Sequence, residues 1–212
     1  MNTLDSRFLN RTNCFSYRFA AAGTFRYEVS PLALPFGEDD DEGAPRIVVS
    51  ETEGAAQRQH HITVDKVGGK LTADPARLEI NLGDLVTWST GGSTALGFAV
   101  RGTIGKTAVD SATLRDDSVF THAFGLPGEY AWADANGSRL RGVVRVVRPR
   151  LETRTAGERR AEWQRALATG AMVRVRGETA EPAEVEIVVG QTVFWAVQDA
   201  PGVSITDVAL LG

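Results

Sequence analysis

The chain repeats itself. Phe15-Ser-Tyr-Arg-Phe19 followed by Gly23-Thr-Phe25-Arg-Tyr27 returns 105 residues on, without a gap, as Phe120-Thr-His-Ala-Phe124 followed by Gly128-Glu-Tyr130-Ala-Trp132. The same shift lays Asp5-Ser6 on Asp110-Ser111. A second match, at a shift of 107 residues, runs from Pro75-Ala-Arg-Leu-Glu-Ile80-Asn-Leu-Gly83-Asp-Leu-Val86-Thr-Trp88 to Pro182-Ala-Glu-Val-Glu-Ile187-Val-Val-Gly190-Gln-Thr-Val193-Phe-Trp195. Two long matches at nearly one period mark a chain built from repeated units. If the Pro-to-Trp piece is the front half of a unit and the Phe-to-Trp piece its back half, the order is back, front, back, front.

All four pieces read as strands. Arg77 to Leu82 alternates apolar and polar residues, and Leu85-Val-Thr-Trp88 follows a Gly-Asp turn. Phe15, Tyr17 and Phe19 alternate, as do Phe25 and Tyr27, and aromatic and β-branched side chains suit a half-buried pleated surface. Arg46-Ile-Val-Val49 and Gly142-Val-Val-Arg-Val-Val147 read as closing strands. The 22 glycines, among them the pairs Gly68-Gly69 and Gly91-Gly92, fit many short strands joined by tight turns. Glu158 to Ala168 differs: it has no Gly or Pro, and Trp163, Ala166 and Leu167 fall on one narrow stripe, which predicts a short connecting helix laid on a sandwich.

Charge and cysteine usage exclude several classes. A net charge of −4 gives no basic face for nucleic acid. Cys14 is the single cysteine, so no disulfide forms within the chain. No run of about 18 apolar residues occurs, so no transmembrane segment is expected. Asp5, Arg7, Asn10, Arg11 and Asn13 interrupt what would be the apolar core of a secretion signal, which favours a cytoplasmic chain.

Ile80-Asn-Leu-Gly-Asp-Leu-Val-Thr-Trp88 and Phe120-Thr-His-Ala-Phe-Gly-Leu-Pro-Gly-Glu-Tyr130 resemble the cupredoxin (plastocyanin-like) family, whose strand, Gly turn and Trp they repeat. Ile187 to Trp195 and Phe15 to Tyr27 resemble the same pattern. The resemblance implies an all-β chain of two Greek-key β-sandwiches with one short linker helix. In the family's order, front half before back half, residues 58–148 make one complete domain. The second domain is then completed by both termini, 1–50 with 170–212, with 149–169 as linker: within one chain this is a circular permutation, and the alternative is exchange of the halves between two chains. The family's habit is extracytoplasmic, which pulls against the absent signal.

The resemblance also implies where copper ligands would lie, and this chain lacks them. A type 1 site needs one thiolate and two imidazoles. The cysteine position of the middle unit is Asp134, followed by Ala135-Asn-Gly-Ser-Arg-Leu140 with neither His nor Met. The upstream histidine position falls at Leu96 or Gly97. In the other unit these positions read Val29 and Val203. No metal, cofactor or catalytic residue is therefore assigned.

The remaining candidates are few. His60 and His61 are adjacent and on a strand point to opposite faces. His122 alternates with Phe120 and Phe124 as a packed residue does, and Cys14 reads as a buried, inert thiol. Glu38-Asp-Asp-Asp-Glu42 lacks calcium-loop spacing and reads as a solvated loop. No phosphate loop, nucleophile–base pair or metalloprotease motif occurs. The expected function is thus non-catalytic: a structural or interaction protein, an accessory or scaffold subunit of a larger protein assembly. A membrane-associated energy-transducing complex is the setting suggested by analogy with the family. The competing reading is a small-ligand or enzymatic module at the former copper end, built from Asp134, Asn136, Arg139 and Arg141.

Because every ligand position is substituted, copper loading of the purified chain is expected to give no intense copper–thiolate absorption in the visible range. Metal analysis with a visible spectrum checks this; such a band would overturn the reading of the ligand positions.

Overall fold

Aromatic and β-branched residues at every second position build the strands. The computed structural model describes residues 3–31, 43–52, 56–91, 97–149 and 155–212. The strands of the first half are β1 (Asn13–Arg18), β2 (Gly23–Ser30), β3 (Arg46–Ser50), β4 (Gln59–Val67), β5 (Lys70–Asp74), β6 (Arg77–Asn81), β7 (Leu85–Thr90), β8 (Ala99–Ile104) and β9 (Thr107–Asp110). The second half has β10 (Ser118–Ala123), β11 (Gly128–Ala133), β12 (Arg141–Val147), α1 (Ala156–Leu167), β13 (Ala171–Arg176), β14 (Thr179–Glu181), β15 (Glu184–Val188), β16 (Thr192–Gln198) and β17 (Thr206–Asp207), then a 3-10 turn at Val208–Leu210. The fold is all-β with a single short α-helix among the described residues. No helix among those residues is long and apolar enough to cross a membrane.

Three sheets form. An eight-stranded sheet has the order β14-β13-β16-β10-β1-β7-β4-β5, a four-stranded sheet β15-β12-β11-β17, and a five-stranded sheet β6-β3-β2-β8-β9. The two smaller sheets pack on one face of the large one through aromatic residues. Trp88 of β7 meets Phe15 of β1 at 5.6 Å and Tyr27 of β2 at 5.7 Å between ring centres. The second half repeats this: Trp195 of β16 meets Phe120 of β10 at 5.7 Å and Trp132 of β11 at 5.9 Å.

The halves are joined otherwise than the grouping 58–148 and 1–50 with 170–212 expects. β1 pairs with β7, β2 with β8 and β3 with β6, so residues 1–50 are completed by the front half that follows them. Likewise β10 pairs with β16, β11 with β17 and β12 with β15. The physical reason lies in the β8–β9 hairpin. Gly105, with φ +57°, supplies the left-handed backbone that turns β9 back on β8. The chain then leaves the first sandwich at Asp110, and Leu114 is already bonded to Val203 in the second.

The two ends do meet, through a few residues rather than through half a domain. Asp5 bridges Thr206, Ser6 N–H donates to the Ile205 carbonyl at 2.9 Å, and Asp207 N–H donates to the Leu4 carbonyl at 2.8 Å. Residues 5–9 and 110–114 thus make matching crossings. Ser111 N–H donates to the Val100 carbonyl, and Val100 N–H to the Ser111 hydroxyl, as Ser6 does with Ile205.

Within the expected linker 149–169, residues 150–154 lie outside the described set and the helix occupies Ala156–Leu167. Thr155 and Glu158 form a capping box that satisfies the first turn. Trp163 Nε1 donates to the Val189 carbonyl at 3.1 Å, and Gln191 Nε2 to the Ala166 carbonyl at 2.6 Å, so the helix lies against the β15–β16 turn.

Trp88 and Trp195 are both fully buried. Replacing either by Ala is expected to cost roughly 3–5 kcal/mol, the range for large-to-small changes of buried aromatics. Chemical denaturation of each variant checks this; a loss under about 1 kcal/mol, typical of surface positions, would contradict it.

Candidate functional site

The turn after β11 is built for cohesion. Asp134 follows β11, and its carboxylate turns inward. Oδ1 accepts from Ser204 N–H at 2.8 Å, the Ser204 hydroxyl at 3.1 Å and Asn136 N–H at 3.0 Å, while Oδ2 accepts from Ser138 N–H at 3.3 Å. Burial pushes the Asp134 carboxyl up, but these donors outweigh it and hold the group below the usual carboxylate range. Val29 pairs with Val100 across β2 and β8, Val203 pairs with Leu114, and Leu96 lies outside the described residues. Gly97 sits where a Cβ would come 3.1 Å from that of Phe8. Asn136 reaches the Gly202 carbonyl at 3.4 Å, whereas Arg139 and Arg141 are exposed. The four residues of the competing reading therefore spread between a structural turn and the surface.

The histidines are spent locally. His60 Nε2 meets Asp84 Oδ2 at 2.8 Å, and Asp84 also accepts from Arg58 N–H at 2.8 Å and Asn81 N–H at 3.0 Å. Burial again raises the Asp84 carboxyl, and the donors from Asn81, Arg58 and His60 bring it below its ordinary value. His61 turns the other way and meets Ser89 Oγ at 2.6 Å. Among the described residues, no three His, Cys, Asp or Glu side chains gather as a metal site would require. The acidic run Glu38–Glu42 lies outside them.

His122 faces the interior, edge-on to Phe124 at 4.5 Å. Its Nδ1 bonds Asn13 Oδ1 across the β1–β10 ladder. The Asn13 amide donates to the carbonyls of Thr3, Asp5 and Phe8, so its oxygen faces the ring and Nδ1 carries the proton. Among the described residues Nε2 is buried with no partner, and burial lowers the ring's pKa to about 4.

The opposite face of the eight-stranded sheet holds what the sequence reading missed. A groove of about 680 Å³ runs across β7, β1, β10 and β16, lined by Cys14, Ser16, Thr87, Thr121, Phe194 and Ala196 among others. A signal was present: small residues alternate with the core aromatics, Cys14 and Ser16 with Phe15 and Tyr17, and Ala196 with Trp195. Ser16 and Thr87 hydroxyls bond at 2.8 Å across strands. Burial raises the Cys14 thiol against the pull of a hydrogen bond with Thr121, which keeps it protonated and unreactive. No protein-family model, curated protein or solved structure matches the chain.

His122 sets an acid limit on stability. Its folded pKa of about 4 lies below the ordinary 6.5, so the unfolded chain binds its proton first as pH falls. Stability is expected to fall by roughly 3 kcal/mol as pH drops from 6.5 to about 4, and His122→Gln should remove this component. Denaturation at a series of pH values checks it; equal slopes in the two proteins would contradict it.

Proposed function

We propose that the chain is a non-catalytic interaction protein, an accessory or scaffold subunit that holds another protein subunit on the outer face of its eight-stranded sheet. One observation carries the reading: a single sheet runs through both sandwiches and offers a groove of about 680 Å³ across their seam. Six strands drawn from both halves, β13, β16, β10, β1, β7 and β4, contribute to its lining, which gives a rigid, wide contact area of the kind protein partners use. The polar groups at the former copper end support the same reading, since Asp134 is committed to Ser204, Asn136 and Ser138. The kinship to copper-free cupredoxins belongs to this proposal. Its support is the matched Gly-turn strands that end in Trp88 and Trp195, each at the centre of its own aromatic cluster. A peripheral place on a membrane-associated complex is the setting that analogy suggests.

Ala196→Arg tests the surface. Ala196 is half-buried on the groove side, so a long charged side chain can project outward at a cost near the ±0.5 kcal/mol of surface changes. In gentle extracts of the source, the unaltered chain is expected to migrate in a larger particle, and the variant as the free chain with an unchanged melting temperature. Co-migration of the variant with the particle would overturn the assignment of this face.

A further inference from the structure

The two sandwiches are closed differently along one sheet edge. In the first, β2 pairs with β8 over six residues, from Phe25 opposite Ile104 to Ser30 opposite Ala99, and β9 backs β8. In the second, the same register returns 105 residues on: Tyr27 lies opposite Gly102, and Trp132 opposite Asp207. The pairing then stops. β17 meets β11 at Trp132 and Ala133 alone, because the Asp207 carboxylate accepts from Ala209 N–H at 2.9 Å and caps the 3-10 turn Val208–Leu210. Among the described residues, Gly128–Ala131 has a strand partner only in β12.

Asp134 N–H donates to the Leu140 carbonyl on the β12 side, so by alternation along the ladder Glu129 turns its backbone N–H and C=O to the open side. The Glu129 carboxylate is engaged elsewhere, accepting from Arg145 Nε at 3.2 Å on the exposed face of the sheet. Ile104 shows what covers this place in the first sandwich. It is buried, and a Cβ on Gly23 would lie 3.5 Å from it. At the counterpart Gly128 the ring of Tyr130 leans in instead, 3.6 Å from such a Cβ. Phe25, paired with Ile104, is fully buried, whereas its counterpart Tyr130 is half-buried. Exposed apolar residues flank the open edge. Leu126, whose carbonyl accepts from the Tyr130 hydroxyl at 3.0 Å, stands at one end, and Val208 and Leu210 stand at the other.

From this comparison we infer that the open edge of β11 takes an extended segment of a partner protein as an added antiparallel strand, with an apolar side chain seated opposite Tyr130. Backbone groups turned outward along a strand, beside uncovered apolar side chains, are what an incoming strand satisfies. The first sandwich supplies the pattern of the occupant. In Arg101-Gly-Thr-Ile104, Gly102 and Ile104 are buried while Thr103 faces out, so the segment alternates small or apolar residues with polar ones. A second copy of β11 fits less well, because two-fold pairing puts both Glu129 carboxylates on one face of the ladder, where like charges repel. The inference does not rest on the groove of the eight-stranded sheet, since β11 belongs to the four-stranded one.

The test adds acetyl-Arg-Gly-Thr-Ile-Gly-Lys-Thr-Ala-Val-Asp-amide, the sequence of residues 101–110, to the full chain and follows calorimetry and amide hydrogen exchange. The Glu129 amide should exchange freely in the chain alone, and about tenfold or more slowly at saturating peptide. The Ile104→Asp form of the peptide should not bind. Glu129→Pro removes the open-side N–H and spares the β12 ladder, so this chain should melt close to the parent and lose the peptide. If it melts early instead, the two peptides on the unaltered chain decide. No saturable binding, equal affinity of the two peptides, or parental affinity in a folded Glu129→Pro chain would each overturn the inference. So would a Glu129 amide already protected in the dilute chain alone, which means that the chain covers its own edge. Protection that grows with chain concentration would name a second copy as the occupant and overturn the partner strand. Ala196→Arg should bind the peptide as the parent does, which separates failure here from failure at the sheet face.

Discussion

The ladder between β1 and β10 is the contact on which the rest of the architecture depends. It is antiparallel and centred on Phe15 opposite Phe120, the two residues related by the repeat itself. The ladder therefore has a local two-fold character: Asn13 lies opposite His122, and Tyr17 opposite Ser118. Each of the two strands has a ladder on both sides, β1 with β7 and β10 with β16. Without the shared ladder, each sandwich would end in an open strand edge of the kind that invites pairing with other chains. With it, Phe15 and Phe120 are locked between the tryptophans Trp88 and Trp195, and two aromatic cores become one continuous layer.

The reciprocal crossings strengthen that union. Asp5 and Ser6 close the second sandwich before the chain enters the first, and Asp110 and Ser111 close the first before it enters the second. Each crossing carries an acid at the same place: Asp5 Oδ1 accepts from Arg7 N–H at 3.0 Å, and Asp110 Oδ1 from Ala112 N–H at 2.8 Å. Separating the sandwiches would break both crossings and the central ladder together. That predisposes the chain to unfold as one cooperative unit.

Strands, turns and the buried tryptophans were legible because they depend on local alternation, and alternation is written in adjacent residues. The grouping of the halves was not. Both back halves carry Phe-x-aromatic-x-Phe, both front halves carry the Pro-to-Trp pattern, and the β1 edge fits β7 by the same side chains with which β10 fits β16. A duplicated pattern cannot say which copy pairs with which. The deciding features were short: the turn at Gly105 and the few residues between Asp110 and Ser118. Asp134 illustrates the same limit. Its place just after β11 could be counted along the chain, but its partner Ser204 lies 70 residues away and nothing local announces it.

Where the repeats differ is as informative as where they agree. Asp84 and Gln191 occupy the same place in the Gly-turn motif, and both cap it: Asn81 N–H donates to Asp84 at 3.0 Å, and Val188 N–H to Gln191 at 2.7 Å. The acid then holds His60, whereas the amide uses its spare N–H groups on the carbonyls of Ala166 and Thr169 and so fixes the end of α1. A carboxylate at that position could not donate to those carbonyls, so the helix goes with the amide and the histidine with the acid. Core positions such as Trp88 and Trp195 stayed the same because each fills an equivalent aromatic cluster. The turns and seam positions were free to diverge, since a change there alters one hydrogen bond rather than a packed layer. Differences that confer function on one repeat and not the other therefore belong at the turns, the crossings and the sheet's outer face, where the fold tolerates them.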